Sequence, residues 1–268
     1  IMKTEEAYFS EIKSYKLLAK KEVGQNFLID PSAAKKIVDV LGVKEGDRVL
    51  EIGCGAGSLT YFLEKSGAMG DAIDIDEGLL TKLQGDFPDG PLSIVHGNAM
   101  RWDYSPYTKI VGNLPYYITS GILEKILLGA KNADKLVIMV QKEAADRLLG
   151  AVGSKEYGPL NVLLGLSGAL KREFKVLRTS FAPAPHVDSA VLSFSFFPNR
   201  DLEELADVYR FCSTMFLQRR KTVANNLKSV VKDQEKAVKI FLGCGVDGNK
   251  RPEQLTPEEY ASLAKASL

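Results

Sequence analysis

Short apolar runs alternate with amphipathic stretches through much of the chain, and this alternation sets the expected fold. The apolar runs have the length and the bounding turn residues of strands, which are predicted at 48–52, 71–75, 92–95, 109–112, 135–140, 174–177 and 190–197. Apolar positions three and four residues apart predict helices at 31–41, 58–66, 77–84, 120–128, 142–149 and 159–166. Strands that alternate with helices are typical of a mostly parallel α/β sheet.

The last predicted strand, at 190–197, differs in kind from the others. It is apolar and alternating, and it closely follows the turn-rich stretch APAP at 182–185. A parallel neighbour would need a crossover helix, for which there is no room. We therefore expect this strand to pair antiparallel, at or near an edge of the sheet.

Beyond residue 200 the strand pattern stops and only helical patterns remain. Helices are predicted at 202–217, 234–242 and 257–266, and Thr256 with Glu259 has the spacing of a capping box before the last one. Asp30 is the expected N-cap of the helix at 31–41, with Pro31 in its first turn. The expected domains are an N-terminal segment 1–30, an α/β domain 31–198 and a small all-helical domain 199–268.

Composition limits the class of protein. The chain has 268 residues, of which 45% are hydrophobic and 26% charged, so a packed soluble protein is expected. No apolar run approaches the roughly 20 residues of a membrane span, and the start of the chain is studded with Lys and Glu, unlike a signal peptide. We expect a cytoplasmic protein with no membrane partner. Ile1 precedes Met2 and is expected to be foreign to the natural chain.

Cysteine, histidine and net charge exclude some kinds of site. The three cysteines, Cys54, Cys212 and Cys244, are far apart, and the chain has only two histidines. Neither a disulfide framework nor a metal centre is therefore expected. The net charge of +1 does not by itself indicate a nucleic-acid partner, and the densest basic run is QRRK at 218–221.

A glycine-rich turn follows the first predicted strand of the sheet. Gly53, Gly55 and Gly57 stand in the pattern E-x-G-x-G-x-G, directly before a predicted helix. Glycines permit a positive φ and leave no Cβ to collide with a ligand, while the helix start offers free N–H donors. The dinucleotide fingerprint fits poorly because its third position is Ser58. The spacing resembles the first motif of Rossmann-like methyltransferases, which make room there for the methionine part of S-adenosylmethionine; a turn that binds nothing is the alternative.

Two polar residues lie at or just after the ends of the next two predicted strands. Asp74 can accept both hydroxyls of a ribose, which S-adenosylmethionine and NAD share, whereas Asp76 is the expected cap of the following helix. Asn98 stands where methyltransferases of this kind usually place an acid that accepts from the adenine amine. Its amide oxygen can accept the same hydrogen bond without charge assistance, so we expect weaker selection of adenine than with Asp.

The segment GNLPYY at 112–117 follows another apolar strand, at the edge where open α/β sheets bind ligands. It resembles the (D/N)-P-P-(Y/F) motif of amino-methyltransferases. An adenine amine is a poor nucleophile, and acceptors aimed at its hydrogens favour the tetrahedral geometry of attack. Asn113 Oδ1 and the Leu114 carbonyl can supply these acceptors. Pro115 stiffens the turn, and Tyr116 offers a face on which an extruded base can stack.

Three further motifs narrow the family. They are GQNFL at 24–28, FAPAPHVDS at 181–189 and FLQRRKTVANNL at 216–227. They resemble the corresponding segments of the small-subunit rRNA adenine dimethyltransferases of the KsgA type, in the correct order from residue 24 to 227. Asp74 in place of Glu and Asn98 in place of Asp are the departures from the family pattern, and both preserve a hydrogen-bond acceptor.

The resemblance assigns roles to residues in these motifs. It implies that Asn26 and Leu28 contact the cofactor and that Phe181 flanks the target base opposite Tyr116, with a buried aromatic at a domain junction as the alternative. Arg219, Arg220 and Lys221 lie at the start of the helical domain and suit contact with RNA phosphates; a solvated charged face is the alternative at these three positions.

The resemblance also implies a fold and a reaction. The fold is a Rossmann-like class I methyltransferase sheet followed by a helical C-terminal domain. The reaction is dimethylation, from S-adenosylmethionine, of the N6 amines of two adjacent adenosines in the 3′-terminal hairpin loop of 16S rRNA. The partner is a pre-30S-like particle, and the chain is expected to be a monomer without metal. The alternatives are a large-subunit rRNA adenine methyltransferase of the macrolide-resistance type and a non-catalytic RNA-binding assembly factor.

Overall fold

A computed structural model describes residues 2–15, 25–115, 117–231 and 234–267 of the chain. The strands, numbered in chain order, are β1 (Phe27–Leu28), β2 (Arg48–Ile52), β3 (Met69–Asp74), β4 (Leu92–His96), β5 (Lys109–Asn113), β6 (Lys135–Gln141), β7 (Gly168–Val176), β8 (Phe181–Ala182) and β9 (Ser189–Phe196). The helices are α1 (Glu5–Ser14), α2 (Pro31–Leu41), α3 (Ser58–Lys65), α4 (Glu77–Asp86), α5 (Thr119–Gly129), α6 (Lys142–Leu148), α7 (Pro159–Ser167), α8 (Leu202–Phe216), α9 (Val223–Val231), α10 (Gln234–Cys244) and α11 (Pro257–Ser267).

The main sheet has the strand order β4-β3-β2-β5-β6-β9-β7. Strands β2 to β6 pair in parallel, and β9 pairs antiparallel with β6, one position from the edge of the sheet. The expected α/β class and the antiparallel last strand are confirmed. The chain runs outward from β2 through β3 to β4 and then returns to place β5 on the other side of β2. Such a reversal leaves a crevice at the carboxyl ends of β2 and β5, which is where open α/β sheets bind ligands.

The chain divides into two compact units. The first consists of Ile1–Ala145 and Lys171–Phe196, and the second of Asp146–Leu170 and Phe197–Leu268. Residues 146–170, which include α7, belong to the second unit although the sequence analysis places them in the α/β domain. In the second unit, α8 packs on α7 and α11 around a core that contains Cys212, Met215 and Tyr260. Within the described ranges, no helix combines the length and apolarity needed to cross a membrane.

The structure contains elements that the hydrophobic pattern does not predict. Helix α1 buries Tyr8, Phe9 and Ile12 in the core of the first unit, although the surrounding sequence is rich in Lys and Glu. Strand β7 begins at Gly168, earlier than the predicted start at 174, and it lies at the sheet edge. Most of its side chains are not buried, so an alternation of apolar and polar residues is not required there.

The glycine turn between β2 and α3 is shaped by backbone conformation and by packing. Gly53, Gly55 and Gly57 all have a positive φ, of 69°, 51° and 88°. A Cβ added to Gly57 would lie 2.3 Å from the Tyr8 hydroxyl and 2.3 Å from a Leu83 methyl carbon, and both of these side chains are buried. Gly57 is therefore required by the packing beneath the turn as well as by its backbone conformation.

Glu51 is a buried carboxyl next to the end of β2. Its side chain accepts a 2.7 Å hydrogen bond from the Thr60 hydroxyl in α3, and the residue is only 1% exposed. Burial raises the pKa of Glu51 to about 8, because removal from water disfavours the charged form more than the bond from Thr60 favours it. The carboxyl is thus protonated in the folded protein over most of the neutral range.

We expect Gly57→Ala to destabilise the protein more than Gly46→Ala. Gly46 has a similar φ of 86° but no neighbour within 4 Å of an added Cβ, so its replacement costs only the strained backbone, about 1–2 kcal/mol. At Gly57 the clash with buried side chains adds about 1–3 kcal/mol. Denaturant unfolding of the two variants measures the difference, and equal free energies of unfolding would show that packing imposes no requirement at Gly57.

Glu51→Gln should change how stability depends on pH. The pKa of Glu51 is about 8 in the folded chain and 4.5, the ordinary value, in the unfolded chain. The folded protein therefore holds a proton that the unfolded chain releases between these values, and wild-type stability falls as pH rises through this window. The variant lacks this contribution, so its melting temperature relative to wild type should rise by a few degrees from about pH 5 to pH 8. If the difference in melting temperature between the variant and wild type does not depend on pH, the raised pKa of Glu51 is contradicted.

Candidate active site

A cleft lies in the first unit, where β2, β3 and β5 end. Its empty space, including the part open to solvent, is about 860 Å³. It is lined by the 25–28 segment, by Glu51 and residues 53–56 with the start of α3, by Asp74 with Ile75, and by residues 113–115 with Tyr117. Four distant parts of the sequence thus meet at the crevice that the strand order creates.

Most of the predicted site residues meet at this cleft. The predicted residues that line it are Asn26, Leu28, Gly53, Gly55, Asp74, Asn113, Leu114 and Pro115. Gly57, Asn98 and Phe181 are not among the lining residues. Tyr116 lies outside the described residues, as does Gly24 of the GQNFL motif.

Asp74 fixes the glycine turn against the end of β3. One of its carboxylate oxygens accepts a 2.9 Å hydrogen bond from the Gly55 amide, and the other accepts one of 2.9 Å from the Asp76 amide. Burial raises the pKa of Asp74 although these backbone donors oppose the shift. Each carboxylate oxygen has a further lone pair, so the side chain can still accept from a ligand hydroxyl in the cleft.

Asn98 has a local structural role. Its side-chain oxygen accepts a 2.9 Å hydrogen bond from the Met100 amide and so caps the short 3₁₀ helix Ala99–Arg101. The residue is exposed beyond the end of β4. The acceptor that the sequence analysis assigns to an adenine amine is therefore already bonded to the backbone of its own loop.

Asn113 and Leu114 present two acceptors to the cleft. Asn113 ends β5 opposite Met139, and the Leu114 amide donates a 3.2 Å hydrogen bond to the Met139 carbonyl. The Pro115 carbonyl is used within the turn, since the Thr119 hydroxyl donates to it at 3.0 Å. In the described ranges, no residue donates to the Asn113 side chain or to the Leu114 carbonyl, so both can accept from a ligand.

The 25–28 segment is held in place by three contacts. Leu28 pairs with Phe181 in the β1–β8 ladder, and the Ser58 hydroxyl donates a 2.5 Å hydrogen bond to the Leu28 carbonyl. The Gln25 side chain donates a 3.2 Å hydrogen bond to Asp76, which also caps α4 as expected. Phe181 is 3% exposed and belongs to the core of the first unit, so its contact with the cleft runs through Leu28.

Sequence reasoning missed several residues that shape the cleft. Ile75 is 56% exposed beside Asp74, and its apolar side chain can cover a flat, apolar ligand surface. Its position after an apolar strand gave no sign that it is exposed. Ser58 breaks the dinucleotide fingerprint, and its hydroxyl, in the first turn of α3, holds Leu28. Tyr8 lies in a helix that the pattern did not predict.

The basic run of the second unit divides into two kinds of side chain. Arg219 donates to the carbonyls of Lys155 and Ser154 at 2.9 and 3.0 Å and forms an ion pair of 3.4 Å with Glu253. It therefore holds its own unit together. Arg220 and Lys221 are exposed, and no side-chain partner is recorded for either within the described part of the chain.

Comparison with known sequences agrees with this geometry. A family model for ribosomal RNA adenine dimethylase matches residues 16–267. The ribosomal RNA small subunit methyltransferase A of Lactobacillus johnsonii is 37% identical over 94% of this chain and 92% of its own length. The protein of the same name from Malacoplasma penetrans is 37% identical over 98% of this chain and 97% of its own.

Comparison with solved structures supports the fold. A dimethyladenosine transferase from Plasmodium falciparum matches with a TM-score of 0.72 and 24% identity, over 87% of this chain and 94% of that chain. The 23S rRNA methyltransferase ErmE matches with a TM-score of 0.67 and 24% identity, over 90% of this chain and 99% of that chain. At this identity the two likenesses establish the class I methyltransferase fold alone. Together with the family match over nearly all of its length, they show that the chain belongs to the ribosomal RNA adenine dimethylase family, whose methyl donor is S-adenosylmethionine.

Proposed function

We propose that this chain dimethylates the N6 amines of two adjacent adenosines in the 3′-terminal hairpin loop of 16S rRNA during assembly of the small subunit. The observation that carries the proposal is that the glycine turn shares one cleft with two acceptors, on Asn113 and Leu114, to which no described residue donates. Membership of the adenine dimethylase family and the relatives' shared name supply the class of substrate.

The cofactor is proposed to lie along the glycine turn. S-adenosylmethionine supplies an electrophilic methyl group on its sulfonium. Gly53 and Gly55 leave room for its methionine part, and Asp74 accepts from the ribose hydroxyls. Asn26 and Leu28 contact it from the 25–28 segment. Gly57 contributes by letting α3 begin where it does.

The adenine end of the cofactor is proposed to lie between Asn98 and Ile75. Asn98 is assigned to the adenine amine by its position after β4. Its side-chain oxygen must then accept from the amine in addition to, or in place of, the Met100 amide. Ile75 is exposed next to Asp74 and can cover one face of the adenine ring.

The target amine is held for attack by the open acceptors. Asn113 Oδ1 and the Leu114 carbonyl accept its two hydrogens, which localises the nitrogen lone pair toward the methyl group. The nitrogen would take the methyl group as its bond to the sulfonium sulfur breaks and leaves a neutral thioether, and the positively charged amine would then lose a proton to water. The second transfer needs space for one methyl group beside Asn113. Pro115 stiffens the turn, Tyr116 stacks on the base, and Phe181 supports the site by holding Leu28.

The partner is proposed to be 16S rRNA within a pre-30S-like particle, met by the chain as a monomer in the cytoplasm. The segment 1–30 flanks the cofactor, the domain 31–198 carries the chemistry, and the domain 199–268 contacts RNA. Arg220 and Lys221 are exposed and suit phosphate contact, while Arg219 presents the loop that carries them. The contact is therefore electrostatic and should weaken as salt is added.

Asn113→Ala should slow methyl transfer strongly. Losing one acceptor aimed at the amine should lower the rate about 100-fold or more, because the interaction acts on the reacting nitrogen. Labelled cofactor is incubated separately with undermethylated small subunits and with large subunits, and the nucleosides are identified by mass spectrometry. Asn132→Ala, in an exposed loop of the same unit, is the control.

These measurements separate the possible failures. A wild-type chain that binds S-adenosylmethionine and yields no dimethyladenosine refutes the enzymatic function. Methylation of large subunits alone favours the macrolide-resistance type of substrate. If the Asn113→Ala variant reacts at the wild-type rate, Asn113 has no role in the reaction, and the rest of the proposal is unaffected.

Separate replacement of the exposed and of the bonded basic side chains should distinguish RNA contact from a contribution to stability. The double variant Arg220→Ala/Lys221→Ala should bind small subunits about 10-fold more weakly, with a shallower salt dependence and an unchanged melting temperature. Arg219→Ala should instead lower the melting temperature by a few degrees, because it leaves two carbonyls and Glu253 without their partner. Filter binding at several salt concentrations measures the affinity for small subunits, and thermal unfolding measures stability. If Arg219→Ala weakens binding and the double variant lowers the melting temperature, the two roles are wrongly assigned.

A further inference from the structure

The glycine turn is held at a second place, by a side chain of the N-terminal helix. The Tyr8 hydroxyl donates to the Ala56 carbonyl at 3.2 Å and lies 3.5 Å from the Gly57 carbonyl. The same hydroxyl fills the space that a Cβ on Gly57 would occupy, 2.3 Å from that position. Because Gly57 has no side chain, the phenol of Tyr8 can reach the carbonyls of the turn.

The ring of Tyr8 has little freedom to move. It is 1% exposed, stacks on Tyr61 with 4.8 Å between the ring centroids, and lies 5.7 Å from the ring of Phe87. The Lys82 ammonium lies 4.9 Å from the ring centroid. The position of the hydroxyl is therefore set by the aromatic cluster around it.

Ion pairs hold helix α1 against α4 and so keep this cluster together. Lys3 bonds Glu11 at 2.6 Å and Asp86 at 2.9 Å, and Asp86 also forms an ion pair with Lys82. The Tyr61 hydroxyl donates a 3.1 Å hydrogen bond to the Lys3 carbonyl. The ion pairs thereby set where the Tyr8 hydroxyl meets the turn.

We infer that Tyr8 is a positioning residue for S-adenosylmethionine, acting through the backbone of the glycine turn. Residues 53–56 line the cleft, and they are rich in glycine, so few side chains of their own fix their conformation. Asp74 holds the turn at the Gly55 amide, and Tyr8 holds it at the Ala56 carbonyl. The inference rests on the proposed placement of the cofactor along this turn.

Loss of the hydroxyl should reduce affinity by letting the turn leave its binding conformation. The apparent dissociation constant rises in inverse proportion to the fraction of chains in which the turn is competent to bind. A neutral buried hydrogen bond contributes about 1 kcal/mol, which corresponds to about a 5-fold change in this constant. The reacting groups at Asn113 are not changed, so the rate at saturating cofactor should be preserved.

Tyr8→Phe and Tyr61→Phe form a matched pair for the test. Each removes one buried hydroxyl from the same aromatic stack and keeps the ring, but the Tyr61 hydroxyl meets Lys3 rather than the turn. Binding of labelled S-adenosylmethionine to the purified full chain is measured by equilibrium dialysis without RNA. We expect Tyr8→Phe to raise the dissociation constant and the KM for the cofactor about 5-fold with kcat unchanged. Tyr61→Phe should stay within about 2-fold of wild type.

The outcomes are distinguishable from failure of the proposed function. A wild-type chain that does not bind the cofactor overturns the function and the inference together. Wild-type binding with an unaffected Tyr8→Phe, or with equal losses in both variants, overturns the role of Tyr8 alone.

Hydrogen exchange on the wild-type chain tests, without any variant, whether cofactor binding is coupled to the stability of α1. By reciprocity, cofactor binding should slow amide exchange in α1, which no proposed cofactor contact reaches. Exchange in α1 that is unchanged by saturating cofactor overturns the inference, even if Tyr8→Phe fails to fold.

Discussion

The structure of the cleft depends on one constraint, which is that the chain must turn sharply between β2 and α3 with almost no side chains. Gly53, Gly55 and Gly57 all take the positive φ that this turn requires. A backbone without side chains can approach a ligand closely but has little to fix its shape. The turn has one backbone hydrogen bond of its own, from the Gly57 amide to the Cys54 carbonyl, and further bonds come from elsewhere, one of them from Asp74 at the end of the neighbouring strand.

The other parts of the cleft are arranged around this turn by contacts between distant residues. The Ser58 hydroxyl ties the 25–28 segment to the first turn of α3, and the pairing of Leu28 with Phe181 ties that segment to a part of the chain more than a hundred residues later. Gly112 is required because a Cβ there would lie 2.6 Å from the Ile52 carbonyl. Close pairing of β5 with β2 brings Asn113 beside the turn, so the acceptors and the glycines share one cleft.

The sequence allowed much of this arrangement to be predicted, and the limits have physical causes. The buried parallel strands β2, β5 and β6 are continuous apolar runs, and their predicted positions agree with the structure to within a residue. Helix α1 escaped detection because only Tyr8, Phe9 and Ile12 of it are buried. The grouping of residues 146–170 with the second unit depends on tertiary packing, which periodicity does not contain.

Site residues that can act directly on a ligand could be predicted from their residue type. Residues that only hold other parts of the site in place could be predicted less well. Asn113 and Asp74 could be identified because an acceptor at the carboxyl end of a parallel strand faces the crevice of the sheet. Arg219, Arg220 and Lys221 look alike in a sequence, yet among the described residues only the side chain of Arg219 is bonded to backbone carbonyls of its own unit. Guanidinium groups bind backbone carbonyls and phosphates through the same donors, so composition alone cannot distinguish these roles. A basic motif of this kind can therefore have two roles at once. One residue stabilises the loop, and the next two are exposed on its surface.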